Sequence, residues 1–329
     1  MLQCHLKNIE NNYIYGSIFM RFYIKFMPTQ KDKIIVDNMP IMGKMISFLP
    51  VSLPPKIYRA ASLVPVVRTI LNKFILSIIP VQITIPEGVI MLDQTDVAVS
   101  GSLALGVFEN TEINLFRKYL KPNLVVVDIG ANIGYYTIIA GKHIGPEGQV
   151  FAYEPEDRNY SLLKKNIEAN GLANTIPIKI GLSKNHSICK LYLDENNKGR
   201  HSLAFKKNKE ESTIETDTLD NSLKQHGSPK VDIIKMDIEG AEFLALDGMR
   251  ETIKRSPYLI IFTEFYPKAI IALGGDPLTY LKKLIEFGFS ISVIDEDSGQ
   301  ITPILNTEQF MQNFPGGESF KNIFAVKKR

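Results

Sequence analysis

Acidic side chains stand at the ends of apolar runs in this 329-residue chain, where a folded protein can aim them into a cleft. In Val125-Val126-Val127-Asp128-Ile129-Gly130-Ala131-Asn132-Ile133-Gly134 a buried-strand pattern ends in Asp128, and a loop with two glycines then opens a helix. Glycine lets the backbone turn sharply and approach a ligand closely. The new helix end offers N–H groups and a positive dipole end to a carboxylate or phosphate. The spacing is not the dinucleotide G-x-G-x-x-G, because Asn132 stands where the second glycine would be, and no Gly-Lys-Ser/Thr marks a phosphate loop. Asp128 would repel a pyrophosphate but suits an amine. The next apolar run ends in Tyr153-Glu154-Pro155, placing a carboxylate 26 residues after Asp128. An acid at that second strand tip can accept both ribose hydroxyls. Amine, carboxylate and ribose together describe S-adenosylmethionine.

The elements that must position these groups alternate regularly. Strand-like runs fall at 124–128, 149–153, 176–180, 231–236, 258–263, 289–294 and 322–327, and helical patterns at 133–143, 157–170, 219–226, 241–254 and 277–287. Such alternation predicts an α/β fold: a mostly parallel sheet with helices on both faces. Residues 291–304, around Asp297-Ser298-Gly299, have the pattern of a strand and turn. The last strand follows without a strong intervening helix, so one antiparallel strand is expected there. Upstream, residues 81–107 suggest a hairpin or small sheet with turns at Pro86-Glu87-Gly88 and Ser100-Gly101, followed by a helix from about 110 to 120. Residues 57–79 suggest one amphipathic helix broken near Pro65.

Charge divides the chain. Its net +3 conceals +7 in residues 1–86 and −4 in the remainder. Eight prolines between Pro28 and Pro86 keep helices short in the basic part. The expected organisation is a basic extension over 1–80 and a catalytic domain over 81–329, with 81–120 its leading hairpin and helix. Two cysteines build neither a disulfide framework nor a cysteine zinc site. The longest uncharged run has 13 residues, short of the ~18 a membrane-spanning helix needs, and the N-terminus is a poor signal peptide. A cytoplasmic protein is expected. Lys56, Arg59, Arg68 and Lys73 beside apolar residues give 57–79 the chemistry of an interfacial helix near anionic lipid, so peripheral membrane contact is one expectation. Packing on the body is the plainer one. The body has neither the aromatic ladder nor the basic stripe of a nucleic-acid binder.

The sequence resembles the FkbM-like family of S-adenosylmethionine-dependent methyltransferases. The resemblance is carried by Val127-Asp128-Ile129-Gly130-Ala131-Asn132-Ile133-Gly134-Tyr135-Tyr136-Thr137, Tyr153-Glu154-Pro155, Asn166, Asn170-Gly171 and Thr218-Leu219-Asp220. Its most distinctive stretch is Ile234-Lys235-Met236-Asp237-Ile238-Glu239-Gly240-Ala241-Glu242. Gly106-Val107-Phe108-Glu109 also looks like the family's opening segment. The resemblance covers about residues 81–295. It implies a Rossmann-like class I fold with a seven-stranded sheet whose last strand is antiparallel. It also implies O-methylation of a hydroxyl on a sugar, glycan, lipid or polyketide-like small-molecule acceptor. Asp128, Gly130, Asn132, Gly134, Tyr135, Thr137, Glu154, Ser183 and Asp237 form the expected cofactor set, Ser183 as an adenine-loop contact or a plain turn.

A hydroxyl is a poor nucleophile while protonated, so a base or a metal should assist its methylation. The fourth strand of the body delivers Lys235, Asp237 and Glu239, which share one side if the strand runs through them. Either acid could take the proton or hold the cofactor amine. Glu239 could instead be a dipole-favoured acid at a helix start, and Lys235 an ion-pair partner that fixes both acids. His201, in the polar loop 196–202, titrates near neutrality and is a further candidate base. Asp237 and Glu264, on adjacent strand tips, could share a divalent cation, but no metal is expected. Asp220 is expected to be an N-cap. No Asn-Pro-Pro-Tyr follows the fourth strand, against methylation of planar amines. The competing functions are an RNA methyltransferase and a non-catalytic, membrane-peripheral binding protein of the same fold. Nothing in the sequence marks an oligomeric state.

Overall fold

The computed structural model describes residues 65–193, 203, 210–316 and 319–327, and the elements below are those among them. Helix α1 (Pro65–Ile78) leads into an antiparallel hairpin of β1 (Gln82–Ile85) and β2 (Gly88–Met91). Helices α2 (Val99–Ala104) and α3 (Asn110–Tyr119) follow. Alternation then begins with β3 (Val125–Ile129), α4 (Tyr135–Ile144), β4 (Gln149–Tyr153), α5 (Asp157–Ala169) and β5 (Thr175–Ile178). A small sheet interrupts it, made by β6 (Gly181–Leu182), β7 (Ser187–Leu193) and β8 (Glu210–Asp217). The chain resumes with α6 (Leu219–Lys224), β9 (Ile233–Met236), α7 (Glu242–Asp247), α8 (Arg250–Arg255) and β10 (Leu259–Phe265). It closes with α9 (Pro267–Ala272), α10 (Pro277–Glu286), β11 (Phe289–Asp295), β12 (Gln300–Pro303), α11 (Thr307–Gln312) and β13 (Lys321–Lys327).

The main sheet has the order β12-β11-β13-β10-β9-β3-β4-β5. Strands β5, β4, β3, β9 and β10 are mutually parallel, and β13 is antiparallel to both β10 and β11. The expected seven strands are all present, with the last one inserted antiparallel. The strand and turn over 291–304 become a hairpin, so β12 adds an eighth, edge strand. Side chains alternate between two cores, as the pleat requires. Val126, Val150, Ile233 and Phe262 join a cluster with Ile138, Ile139 and Leu163 on one face. Val127, Phe151, Ile234 and Ile261 join Leu246, Leu281 and Leu284 on the other. The chain order reverses between β3 and β9, and ligands of open α/β sheets bind beyond the carboxyl ends of the strands at such a point.

Three local readings change. Ser100 and Gly101 are not a turn but lie inside α2, because the Asp96 carboxylate accepts from the N–H groups of Ala98, Val99 and Ser100 and starts the helix. The helix expected over 241–254 is two, α7 ending at Asp247 with Gly248 as its C-cap. Asp220 does cap a helix, but not its own. It accepts from the backbone of Glu251 (2.9 Å) and Thr252 (2.7 Å) at the start of α8, while Thr218 caps α6.

The hairpin β1–β2 reaches the body through two asparagines one turn apart on α5. Asn170 accepts from Val89 N–H (2.9 Å) and donates to Val89 C=O (2.7 Å). Asn166 accepts from Met91 N–H (2.7 Å) and donates to Met91 C=O (3.2 Å) and to Ile133 C=O (2.7 Å). Side-chain amides thus supply what a neighbouring strand would supply. Gly88 lies so close that a Cβ there would sit 1.9 Å from Asn170 Oδ1. Helix α1 docks beside it, Ile75 and the following Ile79 entering the same core, so the end of the extension expected over 1–80 packs on the body. Among the described residues no helix is long and apolar enough to cross a membrane. Asn166→Ala is expected to lower unfolding free energy by about 3 kcal/mol, since each buried group left unpaired costs roughly 1–3 kcal/mol. Denaturant titration measures it.

Candidate active site

A cleft enclosing about 1040 Å³ of empty space, its open mouth included, lies at the carboxyl end of the sheet. Asp128, Gly130, Asn132, Tyr135, Glu154, Lys235, Asp237 and Glu239 all line it. The sequence therefore named residues from β3, β4 and β9 that do meet in one place. Gly134, Thr137 and Ser183 do not line the cleft; they act behind it. Thr137 is fully buried and its hydroxyl donates to Asp128 Oδ2. Gly134, left-handed at φ 94°, starts α4. Ser183 donates its N–H to Asp217 C=O (2.9 Å), and Gly181 and Leu182 take the lining role expected of it. His201 and the loop 196–202 lie outside the described residues, next to Leu203, which lines the cleft.

The glycine loop is built differently from the expected anion cradle. Gly130 and Ala131 both donate to Tyr153 C=O at 2.9 Å, Asn132 N–H donates to Glu154 Oε2 (2.9 Å), and Ile133 N–H donates to the Asn132 side chain (2.8 Å). Its amides are spent on fixing the loop to β4. The need for glycine at 130 is also internal: φ is 79°, and a Cβ would lie 2.0 Å from the carbonyl oxygen of Asp237. Substitution there would separate β3 from the segment after β9, rather than merely fill a ligand's approach.

Glu154 is buried, each oxygen accepting one backbone N–H, from Asn132 and from Glu156. A carboxylate oxygen accepts two hydrogen bonds, so capacity remains for hydroxyls. Burial pushes its carboxyl up to about 8 despite those two donors. Beside it run Tyr153, Pro155, Leu182, Leu191 and Ile214, an apolar wall completed by the small β6–β8–β7 sheet. Sequence reading missed that sheet's role, because β7 and β8 carry polar, charge-rich alternation with few buried residues.

Lys235, which also lines the cleft, is only 2% exposed. Its ammonium lies 3.0 Å from Glu112 Oε1, 3.6 Å from Asp237 Oδ2 and 4.0 Å from Glu109 Oε2, and 4.8 Å from the centre of the Tyr136 ring. Burial alone would favour the neutral amine, but three carboxylates outweigh it and raise the Lys235 pKa well above its ordinary value. Burial raises Glu112 to about 8 and Asp128 to about 6, and raises Glu109 as well. Tyr136 donates its hydroxyl to Glu109 Oε2 at 2.8 Å. Glu109 and Glu112 were not named as site residues; the opening Phe108-Glu109 segment was their only signal. Strand β9 ends at Met236, and the chain turns left-handed at Glu239 (φ 52°) and Gly240. Lys235, Asp237 and Glu239 nonetheless face the same cleft. Asp237, Glu239 and Glu264 bring ligand oxygens within 4.8 Å of one another, a grouping of which the sequence showed the outer pair.

A parallel α/β sheet with a glycine loop after its first strand and an acid ending the next is the frame of a nucleoside-cofactor fold, and the family profile makes it a methyltransferase. Residues 128–290 match the family profile described as the methyltransferase FkbM domain, and the domain they form belongs to that family. The chain is 26% identical over 196 residues to the hexuronic acid methyltransferase AglP of Haloferax volcanii, covering 57% of this chain and 74% of that protein. It is also 26% identical over 163 residues to the methyltransferase sdnD of Sordaria araneosa, covering 40% of this chain and 62% of that one, so it spans under two thirds of that relative. Among solved structures, M. jannaschii TYW2 in complex with AdoMet aligns with a TM-score of 0.40 and 17% identity over 75% of this chain and 85% of that one.

The buried acids predict a pH dependence. A carboxyl near 8 in the folded state and about 4.3 in the unfolded chain makes the folded state bind the extra proton between those values. Its stabilisation is full below the lower value and is lost as pH rises through about 8. The melting temperature of the ligand-free protein is therefore expected to fall between about pH 5 and 8, and to fall less in Glu154→Gln. Differential scanning calorimetry measures both.

Proposed function

We propose that the protein is an S-adenosylmethionine-dependent O-methyltransferase acting on a hydroxyl of a sugar or related small-molecule acceptor, with glycan, lipid and polyketide-like hydroxyls in the same chemical class. The observation that carries this reading is the Lys235–Asp237 pair, 3.6 Å apart, in the same cleft as Glu154. The two named relatives, one a hexuronic acid methyltransferase, support an acceptor rich in hydroxyls. The donor set fits the cofactor: Glu154 has acceptor capacity for ribose hydroxyls beside an apolar wall, and Asp128 is an acid for an ammonium. When bound, the cofactor supplies an already activated methyl group.

The remaining work falls to side chains of this chain. Asp237, about 30% exposed at its side chain, accepts the proton of the acceptor hydroxyl. Lys235 holds that carboxylate in place and offsets its charge. Glu239, in the same cleft, orients a second hydroxyl. Phe108, Tyr135 and Val99 also line the cleft, so the leading segment helps shape the acceptor space. We assign the catalytic domain to 81–329 and the basic extension to 1–80, its last helix α1 packed on that domain, and place the protein in the cytoplasm. On α1, Val66 (68% exposed) and Ile70 (63%) flank exposed Arg68, a pattern suited to an anionic membrane surface. Co-sedimentation with anionic vesicles is expected to fall in a Val66→Asp, Ile70→Asp double variant, and unchanged binding would reject the contact.

Radiolabelled methyl transfer into fractionated glycans, lipids and RNA tests the main reading. Label is expected in a glycan or small-molecule fraction; label in RNA alone would overturn it. Asp237→Asn is expected to reduce the transfer rate by about 10²–10⁴-fold, the usual worth of a positioned base, with calorimetric cofactor binding retained. Because the Lys235 ammonium already compensates Asp237, transfer is expected to persist in a chelator. Loss on chelation with recovery on adding Mg²⁺ would reassign Asp237, Glu239 and Glu264 to a cation.

A further inference from the structure

Helix α3 divides its N-terminal work between two distant residues. Its own N-cap, Glu109, sits left-handed at φ 39° and makes no capping bond with its side chain. That carboxylate instead accepts from the Tyr136 hydroxyl at 2.8 Å and lies 4.0 Å from the Lys235 ammonium. The exposed helix N–H groups are taken by Glu296, in the turn between β11 and β12. Its Oε2 accepts from Thr111 N–H (2.9 Å) and its Oε1 from Glu112 N–H (2.8 Å), a two-point contact spanning 185 and 184 residues of sequence. The same helix turn carries the Glu112 side chain, 3.0 Å from Lys235.

We propose that Glu296 is a positioning residue for the active site: by capping α3 in place of Glu109, it leaves Glu109 on Tyr136 and Lys235 and so fixes the ammonium that holds Asp237. A helix start leaves its first N–H groups without intrahelical partners, and a carboxylate is their preferred acceptor. Without Glu296, the nearest carboxylate in the N-cap position is that of Glu109. Turning it onto the N–H groups takes it off Tyr136. The strand-and-turn β11–β12, which adds the eighth strand to the sheet, thereby reaches the catalytic cluster through one helix. The inference rests on the proposed role of Lys235 and Asp237.

The test reads Tyr136 directly and needs no acceptor. The full chain is labelled with [¹³Cζ]tyrosine, and the Tyr136 resonance among the 13 tyrosines is identified with Tyr136→Phe. Glu296→Ala is expected to move that resonance to the position seen in Glu109→Ala while the other tyrosines stay. In methyl transfer from labelled S-adenosylmethionine into the fractionated glycans and small molecules of the assay above, Glu296→Ala is expected to slow transfer about tenfold, with cofactor binding within twofold, and to add nothing on the Glu109→Ala background. An unmoved Tyr136 resonance in Glu296→Ala, or an equal further loss on the Glu109→Ala background, would overturn the proposal. If Glu296→Ala does not fold, Glu296→Gln keeps one acceptor and is expected to give a partial shift; no shift overturns it. Wild-type transfer by Asp237→Asn would instead reject the catalytic reading, while the tyrosine signal judges Glu296 separately.

Discussion

An ammonium ion almost wholly withdrawn from water cannot stand alone, and the buried Lys235 organises the elements around it. Desolvating a charge costs several kcal/mol in order of magnitude, and only close countercharges with good geometry offset it. Here the countercharges come from separate places: Glu109 and Glu112 from α3, and Asp237 from beyond β9. The Tyr136 ring from α4 covers the ammonium. The leading segment, the first helix after the glycine loop and the middle of the sheet must therefore meet at one point. An excess of carboxylates over cations is also why protons are retained there: Glu112 rises to about 8 because burial disfavours its ion more than Lys235 favours it. The cluster is a structural requirement and a chemical resource together.

The glycine loop obeys a related economy of partners. Its amides are committed to Tyr153 C=O, Glu154 and Asn132 before any ligand arrives. The loop is rigid because it is saturated, and what it presents to the cleft is shape and the edge of Glu154. Glu154 links the two functions, holding the loop through one oxygen and the start of the following segment through the other. A single carboxylate thus ties the ends of β3 and β4 into one surface.

Much of this was legible in the sequence wherever it depends on local order. Asp128, Glu154, Lys235, Asp237 and Glu239 sit at the ends of periodic apolar runs, and parallel strands bring such ends together, so their convergence in one cleft follows from pattern alone. What was not legible depends on partners far along the chain. Asp220 has the signature of a local cap yet serves α8, because Thr218 already serves α6. Ser100-Gly101 has the signature of a turn yet is helical, because Asp96 satisfies three amides at once. Gly130 has the signature of ligand approach, but its neighbour is the Asp237 carbonyl. Thr137 and Ser183 were expected to contact the cofactor, but neither lines the cleft, since a one-residue step on a helix or strand end changes the face presented.

The two asparagines of α5 grip peptide groups, not side chains: N–H and C=O of Val89 and of Met91. A grip of that kind is indifferent to what the gripped strand carries. At the joint itself only Gly88 is dictated, by the close approach of Asn170, while Ile83, Ile85 and Ile90 are held by the core they enter. The exposed positions of the leading hairpin, such as Gln82 and Thr84, can accordingly change while its attachment to α5 stays constant.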